Sequence, residues 1–423
     1  MRLIDQLYRV NGRSVDHLVR QLRHGMPTRL ALRAQRLGEH LDWCRSRVPM
    51  YHDLPGEGDP FARLASLSPF PKDRLDADCP EALADACSGR SRRDHTSGTS
   101  GRTFYFLVTR EERAVCRAYE TRANELLGLA PGERYLVIWG GHESEGWRTL
   151  LKNAVYSRLQ NRELQVVSGA GASSLARLKL RLETHAGGVL VTYPSLLHGL
   201  CEAGHAELLS GYRTIILTGE AVDTTVFVPY GLGNLRNRYG TREFGAIALG
   251  RGNELAYFAD RFILEHDAER GLLVTDLAKR AMPMLRYPVG DFLAQDIDGR
   301  MDEELGLPQL GCITGRVLDR VKGRSGKLYV GTFWTLTMRR IGVSHFRIRQ
   351  AHAGLLEIDF VAGWDEEELV RRLLPHLDGE FELHPHRRET IPELSNAKQK
   401  IVEVLAVQGT AQGHSSRDGG HRR

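Results

Sequence analysis

The sequence lacks the patterns that mark several common classes of protein. Its six cysteines form no C-x-x-C pair, so neither a zinc site nor a disulfide framework is indicated. No apolar run approaches the ~20 residues of a transmembrane helix. The segment MRLIDQLYRVNGRSVDHL has no continuous apolar core of the kind that a signal peptide contains. We therefore expect a cytoplasmic protein that makes no use of a membrane.

The chain also lacks a strong excess of charge of either sign. Lys plus Arg number 58 and Asp plus Glu number 53, a net charge of +5 that is spread along 423 residues. A nucleic-acid-binding protein would carry a clustered basic stripe, so we do not expect that partner. A mild positive balance suits small anionic ligands. Hydrophobic residues make up 41% of the chain, enough for one large domain and a smaller one.

A short run rich in glycine and hydroxyl groups stands out at residues 95–106, HTSGTSGRTFYF. Glycines allow tight turns that point several N–H groups inward, and Ser and Thr hydroxyls add further donors. Arg102 adds fixed positive charge, and an apolar run that we predict to be a strand, Phe104–Val108, follows. The run is not a Walker motif, because no Gly-Lys-Ser/Thr closes it. Its chemistry predicts a loop that holds a polyphosphate, while an ordinary turn is the alternative when the run is taken alone.

Strands and helices alternate after this loop every ~25–30 residues, which predicts βαβ units and a parallel sheet. The predicted strands are Tyr135–Trp139, Leu164–Val167, Gly188–Thr192 and Thr214–Leu217, and the predicted helices are Glu145–Gln160, Ala172–His185 and Ser195–Leu209. Polar loops follow the strands at Tyr193–Ser195, Thr218–Ala221 and Arg238–Gly245. Ligands collect outside the carboxyl ends of such strands, so we expect a binding site there.

The rest of the chain divides by pattern into further segments. Residues 1–90 read as a helical region of the large domain, with helices over Arg29–Arg47 and within Asp59–Leu75. Residues 91–317 form its ligand-binding core, of which 255–293 is β-rich, and the charged Arg316–Arg324 reads as a linker. Residues 318–408 form a small α+β domain, with Phe346–Gln350, Leu355–Val361, a helix over Asp365–Leu377 and Glu380–His384. The tail, 409–423, is expected to be disordered.

Several motifs occur in an order that resembles the adenylate-forming (acyl-CoA synthetase, AMP-binding) superfamily, in particular the branch of phenylacetate–CoA ligase and coenzyme F390 synthetase. The resemblance covers about residues 36 to 405. It rests on RVPMY (47–51), PFPKD (69–73), the Gly/Ser/Thr loop, VTYPS (191–195), TGEA (218–221), YGTRE (239–243), AMPMLRYPVGD (281–291), GRVLD (315–319) and NAKQK (396–400). The implied fold is α/β, with a large N-terminal domain of parallel βαβ sheets and a β-rich subdomain, and a small mobile α+β C-terminal lid.

The resemblance implies a function: ATP activates a small, aromatic carboxylic acid as an acyl-adenylate with release of pyrophosphate, and the acyl group then passes to CoA. It implies ATP and Mg²⁺ as cofactors, with CoA as acceptor. Glu243 would bind Mg²⁺, which prefers one or two carboxylates plus phosphate oxygens. Lys398, delivered by a rotation of the small domain, and Arg316 would stabilise charge at the transition state. Catalysis would therefore depend on Lys398, Glu243 and Arg316.

The implied binding residues fall into two groups. The nucleotide group comprises Thr96, Ser97, Gly98, Thr99, Ser100, Gly101 and Arg102 at the phosphates, Gly219, Glu220, Ala221 and Tyr239 at the adenine, Asp291 at the ribose, Arg316 at the ribose or the α-phosphate, and Arg238, Gly240 and Thr241 in the same nucleotide site. The acyl group comprises Trp139, Gly140, Gly141, His142, Tyr193, Pro194 and Asn237. An apolar slot with one or two polar groups would suit an aromatic or small acyl acid. His142 has the alternative of being an ordinary loop histidine.

Some residues depart from the family pattern. Arg102 stands where a lysine is usual, and Leu318 occupies the position of the acidic hinge residue. An altered hinge would alter the domain rotation that precedes thioester formation. An alternative therefore stays open, in which adenylation is followed by transfer to an amine, a carrier or another nucleophile in a biosynthetic tailoring step. A catalytically silent nucleotide-binding protein is a third hypothesis, and a homodimer is a further expectation left open.

Overall fold

A computed structural model describes the chain over residues 15–72, 74–84, 91–96, 104–140, 157–158, 160–167, 172–220, 222–316, 321–329, 334, 337–338, 341–343, 345–389, 391 and 402–404. The described residues before position 318 make one compact unit, and those after it make a second. None of the described helices has the length and apolar character that crossing a membrane requires.

A ten-stranded sheet forms the centre of the first unit. Its strand order is β13-β15-β9-β8-β7-β6-β5-β3-β4, and β14 pairs with β15. The strands are β3 (Tyr135–Gly140), β4 (Arg162–Val167), β5 (Val189–Thr192), β6 (Thr214–Thr218), β7 (Leu235–Thr241), β8 (Gly245–Arg251), β9 (Glu254–Tyr257), β13 (Asp291–Leu293), β14 (Met301–Asp302) and β15 (Leu307–Arg316). Neighbours from β4 to β7 pair in parallel, and the pairs from β7 to β13 are antiparallel. The predicted parallel sheet is confirmed, and the four predicted strands lie where the apolar runs placed them, with β7 as a fifth parallel strand.

Two smaller β structures pack beside this sheet. One is the hairpin of β1 (Ser91–Thr96) and β2 (Phe104–Thr109), which confirms the strand predicted after the Gly/Ser/Thr loop. The other has three strands, β10 (Phe262–Asp267), β11 (Gly271–Asp276) and β12 (Tyr287–Pro288). The β-rich character predicted for 255–293 is thereby confirmed.

The helices of the first unit are α1 (Val15–Ala31), α2 (Arg33–Arg47), α3 (Pro60–Ala65), α4 (Arg110–Leu126), α5 (Ala172–Thr184), α6 (Pro194–Leu200) and α7 (Ala206–Ser210). A capping box begins α4, in which the Thr109 hydroxyl accepts from the Glu112 amide and the Glu112 carboxylate accepts from the Thr109 amide. Short 3₁₀ turns lie at Pro49–Tyr51, Pro80–Ala82 and Thr224–Tyr230, and a π turn at Cys201–His205 joins α6 to α7.

Several boundaries differ from the sequence prediction, and four of them lie in the first unit. The helix expected over Arg29–Arg47 is divided at Leu32 into α1 and α2. The helix expected over Ser195–Leu209 is interrupted at Gly204, whose φ of 86° lies outside the helical region. The polar loop expected from Arg238 is strand as far as Thr241, because β7 continues into pairing with β8. Arg316 ends β15 rather than starting a linker, because its backbone pairs with Asp291.

The second unit has a four-stranded sheet in the order β20-β19-β18-β21, and a short hairpin, β16 (Val321–Lys322) and β17 (Leu328–Tyr329). The sheet strands are β18 (His345–Gln350), β19 (Leu355–Val361), β20 (Glu382–Arg387) and β21 (Val402–Val404), with helix α8 (Glu366–Leu373) and a 3₁₀ turn (Leu374–His376). Trp334, Ile348, Phe360 and Leu369 are among its buried core residues. The predicted α+β character of this region is confirmed.

Candidate functional site

Several predicted site residues of the described chain lie where the parallel strands end. Strands β3, β5, β6 and β7 run in the same direction, so their carboxyl ends meet at one edge of the sheet. Trp139 lies near the end of β3, Tyr193 follows β5 and Gly219 follows β6. Tyr239 and Thr241 lie in the last three residues of β7. The topology therefore brings together residues that are about a hundred positions apart in the sequence.

Tyr239 and Asp291 are joined at this edge. The Tyr239 hydroxyl donates to Oδ2 of Asp291 over 2.6 Å, and the Asp291 side chain is buried. Gly290, with a φ of 84°, turns the chain just before Asp291, which begins β13. The phenol ring and the carboxylate are the two groups expected at the adenine and the ribose, and they form one hydrogen-bonded pair.

Gly240 permits the close approach of β8 to β7. A Cβ atom at this position would collide with the carbonyl oxygen of Gly245, so only glycine fits. The register between the two strands shifts between Tyr239 and Gly240, which is a β-bulge. Bulges redirect side chains, and here the redirected segment carries Thr241 and the turn that follows it.

Thr241 has a buried hydroxyl group whose oxygen finds no hydrogen-bond partner within the described part of the chain. Leaving a buried hydroxyl unsatisfied costs about 1–3 kcal/mol. Thr241 lies midway in the sequence between Tyr239 and Glu243, both predicted site residues. Its position and its unmet bonding capacity fit contact with a polar ligand.

Glu243 lies in the turn between β7 and β8 and is nine-tenths buried. Its Oε1 accepts a hydrogen bond of 2.8 Å from the hydroxyl of Tyr287. Burial, together with the neighbouring Glu243 carboxylate, raises the pKa of the Tyr287 phenol far above its ordinary value. Tyr287 therefore stays protonated and acts as the donor in this pair.

Arg242 connects the same turn to the hairpin that flanks the Gly/Ser/Thr loop. Its guanidinium lies 3.2 Å from Oδ1 of Asp94 on β1. In the hairpin, Thr96 is paired with Phe104. The two residues between which that loop runs are therefore cross-strand neighbours, and their hairpin is tied by an ion pair to the Glu243 turn.

Two aromatic rings are stacked at the ends of β3 and β5. The Trp139 and Tyr193 ring centroids are 4.2 Å apart, and the rings are 5° from parallel. Gly219, with a φ of 84°, lies against Tyr193, because a Cβ there would be 2.7 Å from Cε1 of the ring. This close contact requires glycine at the first loop position after β6. Burial and then the Glu220 carboxylate raise the pKa of Tyr193 to about 12, so the phenol is neutral.

Other predicted residues make structural contacts. The Glu220 carboxylate accepts from the amide of Ser195 over 2.9 Å and from its hydroxyl over 2.8 Å, which holds the β5 and β6 loops together. Arg238 donates to Oδ1 of Asn124 on α4 over 2.5 Å. Asn237 is buried within β7. Pro194 is the first residue of α6, and Gly140 ends β3.

Some predicted residues cannot be placed. Outside the described residues lie Ser97, Gly98, Thr99, Ser100, Gly101, Arg102, Gly141, His142, Ala221, Leu318 and Lys398. Arg316 is described as the last residue of β15, while its side chain is not.

The single carboxylate of Glu243 suits a Mg²⁺ ion that is bound together with phosphate better than it suits a metal ion whose ligands are all protein side chains. Among the described residues, no group of three or more His, Cys, Asp or Glu side chains could hold a metal ion. A magnesium ion usually takes only one or two carboxylates and completes its octahedron with phosphate oxygens and water. The bond from Tyr287 uses one carboxylate oxygen, and the other oxygen of Glu243 suits such an ion.

Three of the motif residues to which the sequence analysis gave no role lie close to Glu243 or to its partner. Tyr287 bonds Glu243, and Phe70 and Lys72 pack against Tyr287. Phe70 and Lys72 lie in PFPKD, and Tyr287 in AMPMLRYPVGD. The resemblance of these two segments to family motifs was the one sequence feature that could have pointed to these residues. It could not show that the two motifs contact each other, because that contact forms only in the folded β-rich subdomain.

The fold is shared with a solved ligase. Two crystal structures of 2-hydroxyisobutyryl-CoA ligase each cover 90% of this chain and 90% of their own, at 16% identity. The structure in the postadenylation state, in complex with 2-HIB-AMP, matches with a TM-score of 0.66, and the one with 2-HIB-AMP and CoA in the thioesterification state with 0.54. No protein-family model and no curated protein matches the chain. The match establishes the fold, an α/β fold of the kind predicted.

Proposed function

We propose that this protein activates a small carboxylic acid with ATP. The carboxylate would attack the α-phosphorus, forming an acyl-adenylate and expelling pyrophosphate. The thiol of CoA would then attack the acyl carbonyl, forming the thioester and releasing AMP and the thiol proton. The observation that carries this proposal is the unpartnered Thr241 hydroxyl within the described chain, two residues from both Tyr239 and Glu243. A buried, unsatisfied oxygen flanked by a bonded Tyr–Asp pair and a buried carboxylate is suited to a phosphate group.

The nucleotide would bind across the Tyr239–Asp291 pair. A tyrosine ring offers a flat face for the adenine, and the carboxylate of Asp291 can accept from the ribose hydroxyls, as acidic residues do in dinucleotide folds. Arg316 is placed by the backbone pairing opposite Asp291, which supports a role near the ribose or the α-phosphate. The segment Thr96–Arg102 would hold the β- and γ-phosphates.

Glu243 would hold the magnesium ion that accompanies ATP. When bound, the ion would neutralise phosphate charge and, by polarising the phosphoryl oxygens, make the α-phosphorus more open to attack by the carboxylate. Thr241 would donate its hydroxyl hydrogen to a phosphate oxygen, and the bulge at Gly240 would fix the direction of that donor. Each of these contributions comes from one short segment, residues 239–243.

The acyl group would lie beside the stacked pair of Trp139 and Tyr193. A flat aromatic wall at the end of the sheet favours a planar acyl group over a branched aliphatic one, since aromatic groups prefer stacked or edge contacts. We therefore propose an aromatic acid. The neutral Tyr193 phenol adds no charge that would repel the carboxylate substrate.

Lys398, in the NAKQK motif, would stabilise negative charge at the transition state. This part of the proposal rests on motif order, as does the placement of the chain near phenylacetate–CoA ligase. The fold shared with 2-hydroxyisobutyryl-CoA ligase, whose crystal structures contain an acyl-AMP and CoA, supports the same chemistry.

Identification of the reaction products tests this proposal. The protein is incubated with ATP and a panel of aromatic and small aliphatic acids, with hydroxylamine to trap an acyl-adenylate as the hydroxamate. We expect AMP, pyrophosphate and the hydroxamate of an aromatic acid. Formation of ADP, or of no nucleotide product with any acid, would contradict the proposal. Replacing hydroxylamine by CoA or by amines, with product masses measured, distinguishes a thioester from an amide.

A further inference from the structure

Tyr287 connects the Glu243 carboxylate to the interior of the protein. Its hydroxyl donates to Oε1 of Glu243 over 2.8 Å, and the side chain is 2% exposed. A hydrogen bond to a buried carboxylate fixes the plane of that carboxylate and satisfies one of its oxygens. The direction of the other oxygen is then set by the protein before any cation arrives.

The Tyr287 ring is held by aromatic neighbours on several sides. Its centroid lies 5.5 Å from that of Phe104, 5.5 Å from that of Phe244 and 5.9 Å from that of Phe70. Phe104 begins β2, directly after the Gly/Ser/Thr loop, and Phe244 follows Glu243 in the chain. The ring is therefore packed between the start of β2, the residue that follows Glu243, and the PFPKD segment.

The PFPKD segment closes the remaining side of the ring. Lys72 donates from Nζ to the carbonyl oxygen of Pro288 over 2.6 Å, and Nζ lies 5.3 Å from the Tyr287 ring centroid. The amide of Phe70 donates to the carbonyl oxygen of Arg286 over 3.2 Å. These bonds hold the backbone on both sides of Tyr287 and give PFPKD a function in the fold.

Arg286 adds a second constraint on the direction of Tyr287. Its φ of 53° is in the left-handed region, which is uncommon for a residue with a side chain. The conformation is stabilised by bonds from its amide to Thr275 Oγ1 over 2.8 Å and from its guanidinium to Glu265 over 3.1 Å. Such outliers persist where the surroundings determine them, and here the consequence is the placement of Tyr287.

We propose that Tyr287 is a positioning residue for the metal ligand Glu243, and that Phe70 and Lys72 of PFPKD hold Tyr287 in place. The proposal rests on the proposed function, in which Glu243 binds the Mg²⁺ that accompanies ATP. Tyr287 acts through the orientation of the carboxylate and does not itself touch the nucleotide. Partners of this kind around a metal ligand typically contribute 10- to 100-fold to metal affinity.

The test measures binding rather than turnover. The dissociation constant of α,β-methylene-ATP is determined by calorimetry, once with millimolar Mg²⁺ and once with EDTA, for the wild type and Tyr287→Phe. The phenylalanine retains the ring and its packing and removes only the donor. We expect the dissociation constant in Mg²⁺ to rise about tenfold and the constant in EDTA to stay within about twofold.

A matched control and a second variant complete the design. Tyr212→Phe removes another buried tyrosine hydroxyl, which donates to the carbonyl of Leu182 over 2.7 Å on the α5 side of the sheet. It should leave the Mg²⁺ enhancement unchanged. Glu243→Gln should abolish most of that enhancement, and adding Tyr287→Phe to it should change little more, since the two residues act as one unit.

The outcomes separate the two proposals. A wild type that binds the analogue equally well with and without Mg²⁺ would overturn the role of Glu243 in the proposed function. A wild-type enhancement that Tyr287→Phe retains in full, or effects of the two substitutions that simply add, would overturn the positioning role of Tyr287 and leave the proposed function standing.

Discussion

At the scale of single residues, a substitution at Thr241 should lower the rate of adenylation without lowering the stability of the fold. Thr241→Val replaces the hydroxyl by a methyl group of similar shape. Because the hydroxyl is buried without a partner in the described chain, removing it should leave the melting temperature unchanged or raise it. The rate of adenylation should fall by about 10² if the hydroxyl donates to a phosphate at the transition state.

Calorimetry and adenylation assays of the same preparation check this expectation. Thr214→Val is the control, since Thr214 is a buried threonine at the opposite, amino end of β6. A Thr241→Val protein with the wild-type rate would remove Thr241 from the site. A variant that melts much earlier would show that the hydroxyl is satisfied in the folded protein.

Asp291 should contribute to nucleotide affinity. Asp291→Asn removes the negative charge that accepts from Tyr239 over 2.6 Å and that would accept from the ribose. Charge-assisted hydrogen bonds are about twice as strong as neutral ones, so we expect the KM for ATP to rise about tenfold with a smaller change in kcat. Asp296→Asn, at an almost fully exposed carboxylate on the same unit, is the control. Equal KM values in all three proteins would contradict the ribose assignment.

The sequence allowed many candidate site residues to be named, but not the residues that they contact. Tyr239 and Asp291 were each expected at the nucleotide, yet nothing in the spacing of 52 positions indicated that they would bond each other. Arg238 was grouped with them and instead contacts Asn124, because β7 alternates its side chains between two faces. Tyr287 was missed, because its role depends on a contact with Glu243 across the fold.

At the scale of elements, the Gly219 turn determines how the aromatic pair is placed. Gly219→Ala should destabilise the protein by about 1–2 kcal/mol through its positive φ, and more through the collision with Tyr193. The displaced Tyr193 ring should change the fluorescence of Trp139 and raise the KM for the acid.

Gly187→Ala provides the matched comparison. Gly187 has a φ of 81°, and a Cβ at that position meets no atom within 4 Å, so this variant carries the conformational cost without the collision. Urea denaturation and tryptophan emission of both variants check the difference. Identical stability losses and identical emission would contradict the close packing of Tyr193 on Gly219.

Elements with strong apolar runs were predicted well, and their ends were not. The runs of β3, β5 and β6 are buried on both faces of a parallel sheet, which makes them nearly continuous and easy to identify. The division of α1 from α2 at Leu32 and the continuation of β7 to Thr241 are set by tertiary pairing instead. No proline or glycine marks the break at Leu32, and Gly240 lies inside β7 rather than at its end.

At the scale of the whole molecule, a buried histidine should make the first unit sensitive to acid. His40 is 1% exposed, and its Nδ1 accepts from Nη1 of Arg280 over 2.6 Å. Burial, and then the Arg280 charge, lower the pKa of His40 to about 3. The unfolded chain binds a proton on His40 below pH 6.5, whereas the folded chain does so only near pH 3. Stability therefore falls as the pH decreases through this range.

His40→Gln retains an acceptor for Arg280 and removes the titration. Between pH 6.5 and 5 the histidine should account for at most about 2 kcal/mol of lost unfolding free energy, which the variant should not lose. Urea denaturation at the two pH values checks this, with His52→Gln at an exposed position as control. The same loss in His40→Gln and the wild type would show that other groups cause the acid sensitivity.

The central claim is that the segment from Tyr239 to Glu243 binds ATP and Mg²⁺ for the formation of an acyl-adenylate. It is tested most directly by the exchange of labelled pyrophosphate into ATP, which requires reversible adenylation and no acceptor. We predict exchange that depends on an aromatic acid in the wild type, and a rate at least ~10² lower in Glu243→Gln at unchanged melting temperature. No acid-dependent exchange across a broad panel, or exchange at the wild-type rate in Glu243→Gln, would contradict the account.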